Sequence, residues 1–179
     1  PFGSCVTWIW PHPSTRCSGL TSVPIPTSVT SIDTQAFYLC IKLTSVTIEG
    51  GDNALVLGDK TEFNINYGIE AVSPSNADRN YVFPIHYIGV NAHGVFTGTN
   101  LTELNLPARV TTLGAFSFYN MTSLKTVTIA ENSNLTTIGI GAFYGSGLTS
   151  INLENSKVAT IEDYAFAATK LTSVKFPNT

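Results

Sequence analysis

Charge is scarce in this sequence. Asp, Glu, Lys and Arg together make up 12% of its 179 residues, against roughly 25% in a typical soluble domain. Nine Lys plus Arg stand against twelve Asp plus Glu, a net of −3, and no basic cluster occurs anywhere. Phosphate recognition needs concentrated positive charge, so the composition argues against nucleic acid as a partner. Long apolar runs are also missing; nothing approaches the 18 residues or so of a membrane-spanning helix. The three cysteines, Cys5, Cys17 and Cys40, are an odd number, which argues against a fully paired disulfide framework. No G-x-S-x-G elbow, Walker loop or dinucleotide fingerprint is present. The chain starts at Pro1 with neither an initiator Met nor a signal-peptide pattern, and it stops in mid-repeat after Phe176. Both features lead us to expect a piece of a longer protein, with more repeats or another domain following.

What is present is repetition. Apolar residues make up 43%, enough for a continuous core and against disorder. Segments beginning at Leu20, Leu101, Leu124, Leu148 and Leu171 align as one frame: L-x-x-V-x-I, a loop, V-x-x-I, a short turn, then an aromatic hook that is usually A-F. The spacings are 23 from Leu20 to Leu43 and from Leu101 to Leu124, 24 to Leu148 and 23 to Leu171. Val and Ile two apart point to one face of a strand while the Thr and Ser between them point to the other. A unit this short cannot bury its apolar face alone, so neighbours must stack and stability belongs to the array.

The frame therefore predicts an α/β-type or mostly-β solenoid, a right-handed superhelix with one parallel sheet. Short second strands and short helical or 3-10 turns complete each rung. Rungs about 4.8 Å apart would make a slab about 30 Å long. The expected core columns are Val23, Val46, Leu104, Val127, Ile151 and Val174, with Phe37, Phe118, Phe143 and Phe166 behind them. Residues 1–19 read as an N-terminal cap or partial repeat, with Val6, Trp8 and Trp10 alternating on one face before Pro11 and Pro13 end the strand. The solenoid proper reads as repeats 20–42, 43–68, 69–100, 101–123, 124–147, 148–170 and a partial 171–179, all in a single domain.

The stretch 49–100 is irregular. Two swollen repeats fit it when Leu57 and Phe63 take the Ile and Phe slots of the first, and Ile88 and Phe96 close the second. The alternative is one repeat carrying a 35-residue excursion, with FNINYGIEAV and YVFPIHYI as a hairpin. We favour the two repeats at this level.

The frame resembles the BspA-like, or treponemal-type, leucine-rich repeats. The residues that carry the resemblance are LTSVTI, PTSVTSI, TTIGIGAFYGSGLTSI and IEDYAFAATKLTSV. It covers 20–50 and 101–179 closely, and the intervening stretch only when stretched. The ordinary leucine-rich repeat places Asn in the turn after its strand; here Ser28, Arg109, Asn132 and Ser156 stand there, so no Asn ladder forms. The resemblance implies a solenoid on surface proteins of anaerobic bacteria and mucosal protists, associated with adhesion to host matrix or other microbes and without catalytic residues.

The residues themselves offer little chemistry. A catalytic pocket needs differing groups that converge. His86 and His93 lie seven apart on an irregular stretch, not at the helical spacing of a zinc site, and His12 stands alone. Glu162 and Asp163 are adjacent and read as solvated turn residues. The run EGGDNALVLGD, with Glu49, Asp52 and Asp59, is one partial copy of a calcium-loop pattern whose ions need neighbouring turns. No metal or cofactor site is assigned. Cys40 reads as a small buried thiol. Cys17 occupies the equivalent slot one rung earlier, close enough to bridge to Cys40 only if their side-chain vectors converge; a Cys5–Cys17 clip on the N-terminal cap is the somewhat more plausible pairing. Triplets at Asn100, Asn120 and Asn134 would accept glycans only in a eukaryotic secretory pathway.

Outward strand positions are mostly Ser and Thr, which solubilise a parallel sheet and also make a flat, wettable, nearly neutral face. Its distinctive side chains are Glu103, Asn105, Lys125, Thr128, Asn152 and Lys175; the charged ones interrupt any ice-binding threonine ladder. Tyr81, Phe83 and Tyr87 alternate onto one side of the irregular stretch with His86 opposite, and Trp8 and Trp10 mark the N-terminus. Aromatics left exposed there could stack on sugar or protein. The expected function is a non-enzymatic, cell-surface or secreted module for adhesion or protein or glycan binding. A structural spacer, or an accessory targeting module of a larger protein or enzyme, is the alternative.

Overall fold

The structure is a computed structural model, and it describes residues 8–9 (as backbone), 17, 19–58 and 94–177. Each rung contributes two short strands. The first set is β2 (Ser22–Ile25), β4 (Ser45–Ile48), β6 (Glu103–Leu106), β8 (Thr126–Ile129), β10 (Ser150–Asn152) and β12 (Ser173–Lys175). The second set is β1 (Trp8–Ile9), β3 (Ser31–Ile32), β5 (Leu55–Leu57), β7 (Val110–Leu113), β9 (Thr137–Ile138) and β11 (Thr160–Ile161). All pairings are parallel, as a solenoid of like rungs requires.

The distribution of pairing differs from the sequence expectation. The second strands, expected as minor elements, form the continuous six-stranded sheet β1-β3-β5-β7-β9-β11. The first strands pair two by two, as β2-β4, β6-β8 and β10-β12. The helical or 3-10 turns expected on the third side are also absent, and no helix occurs among the described residues. Backbone geometry gives the reason. Residues two before and two after four of the five hook phenylalanines adopt left-handed φ: Gln35 and Leu39, Phe116 and Asn120, Gly141 and Gly145, Tyr164 and Ala168. This costs a non-glycine residue roughly 1–2 kcal/mol, but it aims the N–H groups along the solenoid axis rather than back into their own turn. Phe116, Phe118 and Asn120 donate to the carbonyls of Ile140, Ala142 and Tyr144 at 2.9, 2.8 and 2.7 Å. Gly141, Phe143 and Gly145 repeat this toward Asp163, Ala165 and Ala167. Inter-rung bonding wins over helix.

The core lies in files. Leu43, Leu101, Leu124 and Leu148 are buried in one, and Val23, Leu104, Val127 and Ile151 in the next. Val46 and Val174, expected in that second file, are partly buried and pack against it. Ile32, Leu57, Leu113 and Ile138 form a third, fully enclosed, while Ile161 on the edge strand β11 is exposed. Behind them the hook rings stack: Phe37, Phe96, Phe118, Phe143 and Phe166 follow one another at 5.4, 5.7, 4.9 and 5.4 Å, with interplanar angles of 10° or less.

That column overturns the separate repeats 43–68 and 69–100. β5 pairs with β3 on one side and with β7 on the other, and Phe96 sits between Phe37 and Phe118. One rung therefore joins Leu43 to Leu101, with strands from 43–58 and hook from 94–100. Leu57 does occupy its expected slot, but Phe96 rather than Phe63 is the hook. The chain returns to the stack closely there: at Gly94 a Cβ would overlap the Phe116 carbonyl oxygen, so this position requires glycine. Residues 59–93, including the proposed hairpin, lie outside the described residues.

The N-terminal stretch enters at the second-strand slot, with Trp8 in register with Ser31 and Ile9 with Ile32. Most of 1–19 lies outside the described residues.

Candidate functional site

The first strands place their outward residues in three parallel files, all exposed. These are Thr21, Thr44, Thr102, Lys125, Thr149 and Thr172; Ser22, Ser45, Glu103, Thr126, Ser150 and Ser173; and Pro24, Thr47, Asn105, Thr128, Asn152 and Lys175. Alternation sets the second and third files, because the residue between them is a core position; the first file lies just before the strands. Rungs are about 4.8 Å apart within each ladder, so the strip offers hydroxyl and amide groups at a nearly constant pitch. Part of its hydrogen-bonding capacity is spent internally. The Thr44 hydroxyl donates to the Thr21 carbonyl at 3.3 Å and Thr172 to that of Thr149 at 3.2 Å. Asn152 Oδ1 accepts the Glu154 N–H at 2.9 Å, and Lys175 Nζ lies 3.5 Å from a Glu154 carboxylate oxygen. Lys125 Nζ donates to the Thr122 carbonyl at 2.6 Å.

Six of the expected ligand-binding residues thus share one face: Glu103, Asn105, Lys125, Thr128, Asn152 and Lys175. Register couples them in pairs. Asn105 stands opposite Thr128, and Asn152 opposite Lys175. Trp8 is described only as backbone, and Trp10, Tyr81, Phe83, His86, Tyr87 and Cys5 lie outside the described residues.

Arg109, which stands at a turn position where an ordinary leucine-rich repeat has Asn, carries a fully buried guanidinium. Its Nε donates to the Glu49 carbonyl at 2.6 Å, Nη1 to those of Val29 and Asn53 at 2.7 and 3.4 Å, and Nη2 to that of Pro26 at 3.0 Å. Burial lowers its pKa from the usual arginine value, and the neighbouring Glu49 charge works in the opposite direction. One side chain so binds loops of the two preceding rungs. Two carbonyls of the EGGDN loop, those of Glu49 and Asn53, are engaged by this internal cation. A signal existed: Arg109 is the one charged residue among the four turn positions compared.

Glu162 also does more than meet solvent. Its Oε2 accepts the Ile140 N–H of the preceding rung at 2.9 Å, while the Asp163 carbonyl accepts that of Gly141. They serve the stack separately, not as an acid–base pair. A second aromatic group lies outside the main column. Phe116 meets Tyr119 edge-on at 5.8 Å, and Tyr119 stacks on Tyr144 at 5.7 Å. Burial, then the adjacent Tyr144, raises the Tyr119 pKa. Among the described residues no three His, Cys, Asp or Glu side chains gather into a metal-binding group, and no helix is long and apolar enough to cross a membrane.

Comparison with known proteins gives three findings. A family model described as a BspA type leucine rich repeat region matches in six copies, over residues 12–72 and 90–179. The solved structure of the pneumococcal vaccine antigen PcpA is similar, with 19% identity and a TM-score of 0.61 over 94% of this chain and 33% of that one. So is a leucine-rich repeat protein from Bacteroides ovatus ATCC 8483, with 25% identity and a TM-score of 0.52 over 96% of this chain and 41% of that one. The chain therefore spans less than half of either neighbour. No curated protein matches it.

Proposed function

Because the chain belongs to the BspA-type leucine-rich repeat family, we propose that it is a non-catalytic binding module that works outside the cell, on a cell surface or after secretion. Its ligand is a host or microbial surface protein, or a glycan, gripped by the strip of first-strand side chains. One observation carries the reading. The outward positions of all six first strands are exposed, with Glu103, Asn105, Lys125 and Thr128 on or beside the central β6-β8 ladder. A flat array of hydroxyls and amides at fixed pitch suits an extended partner with repeating polar groups, where many weak contacts add.

The test combines glycan and matrix-protein arrays with a face variant. Thr128→Lys adds a long charged side chain at an exposed position, so stability should stay within about 0.5 kcal/mol of the parent. Binding to whichever array member the parent captures should fall about tenfold or more. Unchanged binding moves the site off this strip, and extensive unfolding shows that the strip is covered in the native protein. A second reading, a structural spacer, is favoured by the uniformity of the files, which repeat Ser and Thr with few individual features. A fragment inert on every array supports the spacer.

A further inference from the structure

We propose that Cys17 and Cys40 form an inter-rung disulfide, a covalent clasp that ties the chain entering the solenoid to its first complete rung. The two residues occupy the same place in successive turns. Cys17 lies three before Leu20 and Cys40 three before Leu43, and each carbonyl accepts the N–H of its own leucine, at 3.1 and 2.8 Å. The strands that follow run in strict register, Ser22 with Ser45 and Val23 with Val46. Neighbouring parallel rungs are about 4.8 Å apart, within the Cα separation of about 4.4–6.8 Å that a disulfide spans. Cys17 also acts on Cys40: burial foremost, then hydrogen bonding and electrostatic interaction with Cys17, pushes the Cys40 thiol up to about 11.

Access separates their roles. Cys17 is exposed and Cys40 buried, so an oxidant meets Cys17 first. With a low-molecular-weight disulfide such as oxidised glutathione, the Cys17 thiolate attacks one sulfur and expels a thiolate, leaving a mixed disulfide. Cys40 then yields its proton to that thiolate, and its sulfur displaces the second one from Cys17. Two protein thiols become one disulfide and the small disulfide becomes two thiols, so atoms and electrons balance. This pairing differs from the Cys5–Cys17 clip expected at the N-terminal cap.

Trypsin separates the two alternatives. Cleavage after Arg16 and Lys42 releases residues 17–42 with both cysteines, because no Lys or Arg lies between them. After equilibration of the full chain with oxidised glutathione and alkylation in denaturant, peptide 17–42 is expected lighter by two hydrogens and free of alkyl or glutathione groups. Cys5→Ser should leave that result unchanged, whereas Cys17→Ser and Cys40→Ser should abolish it. A peptide 17–42 joined to 1–16, alkylated or still glutathionylated overturns the proposal.

Discussion

Arg109→Ala should destabilise the protein by about 3–5 kcal/mol, because several acceptors in the fold lose one charged donor together. The guanidinium donates to four carbonyls, those of Pro26, Val29, Glu49 and Asn53. Truncation deprives them of that donor inside the fold, and each buried acceptor left unsatisfied costs about 1–3 kcal/mol. Arg109→Lys should rescue only part of the loss, because an ammonium is a compact charge without the planar fork that reaches two loops at once. Arg109→Met retains most of the stem and separates packing from hydrogen bonding. Denaturant titrations of the three variants measure these differences. A loss below 1 kcal/mol for the alanine variant would show that the carbonyls find other donors easily.

Phe143→Ala should cost a similar amount, roughly 3–5 kcal/mol, by another mechanism. The ring is fully buried and stacks on Phe118 at 4.9 Å and on Phe166 at 5.4 Å. Removing it leaves a cavity and divides the column. In a stacked array stability passes between nearest neighbours, so the rungs after it should melt before those ahead. Hydrogen exchange should show the amides of Ile151 and Ala165 losing protection while those of Val23 and Ile32 keep theirs. Phe166→Ala, at a partly buried ring near the end of the column, should cost less. A Phe143→Ala melt that matches the parent would remove the ring from the core.

The regular rungs were legible because the repeat spacing sets the register. Leu104, Val127 and Ile151 sit in their expected file, and Phe37, Phe118 and Phe143 in theirs. Other features depend on contacts that a periodic frame does not contain. Phe63 and Phe96 are both aromatic and the frame fits either, so which one stacks between Phe37 and Phe118 is settled only by the three-dimensional arrangement. The turns carry residues such as Gln35, Leu39 and Tyr164, whose propensities say nothing of left-handed φ; inter-rung hydrogen bonding imposes it. The burial of Arg109 was not legible, because arginine is rarely buried and the carbonyls that hold it come from loops up to 83 residues away. The exposed strip was legible in full, since alternation alone determines it. Its ligand was not, because Ser and Thr serve solvation and recognition equally well.

Everything rests on single-file stacking, with one rung between Leu43 and Leu101. Nuclear Overhauser spectroscopy on protein with labelled phenylalanine rings reads this directly. Contacts from Phe96 to both Phe37 and Phe118 are the predicted result, since those centroids lie 5.4 and 5.7 Å away. A Phe96 ring silent toward either neighbour, or a Phe63 ring between Phe37 and Phe118, would contradict the account.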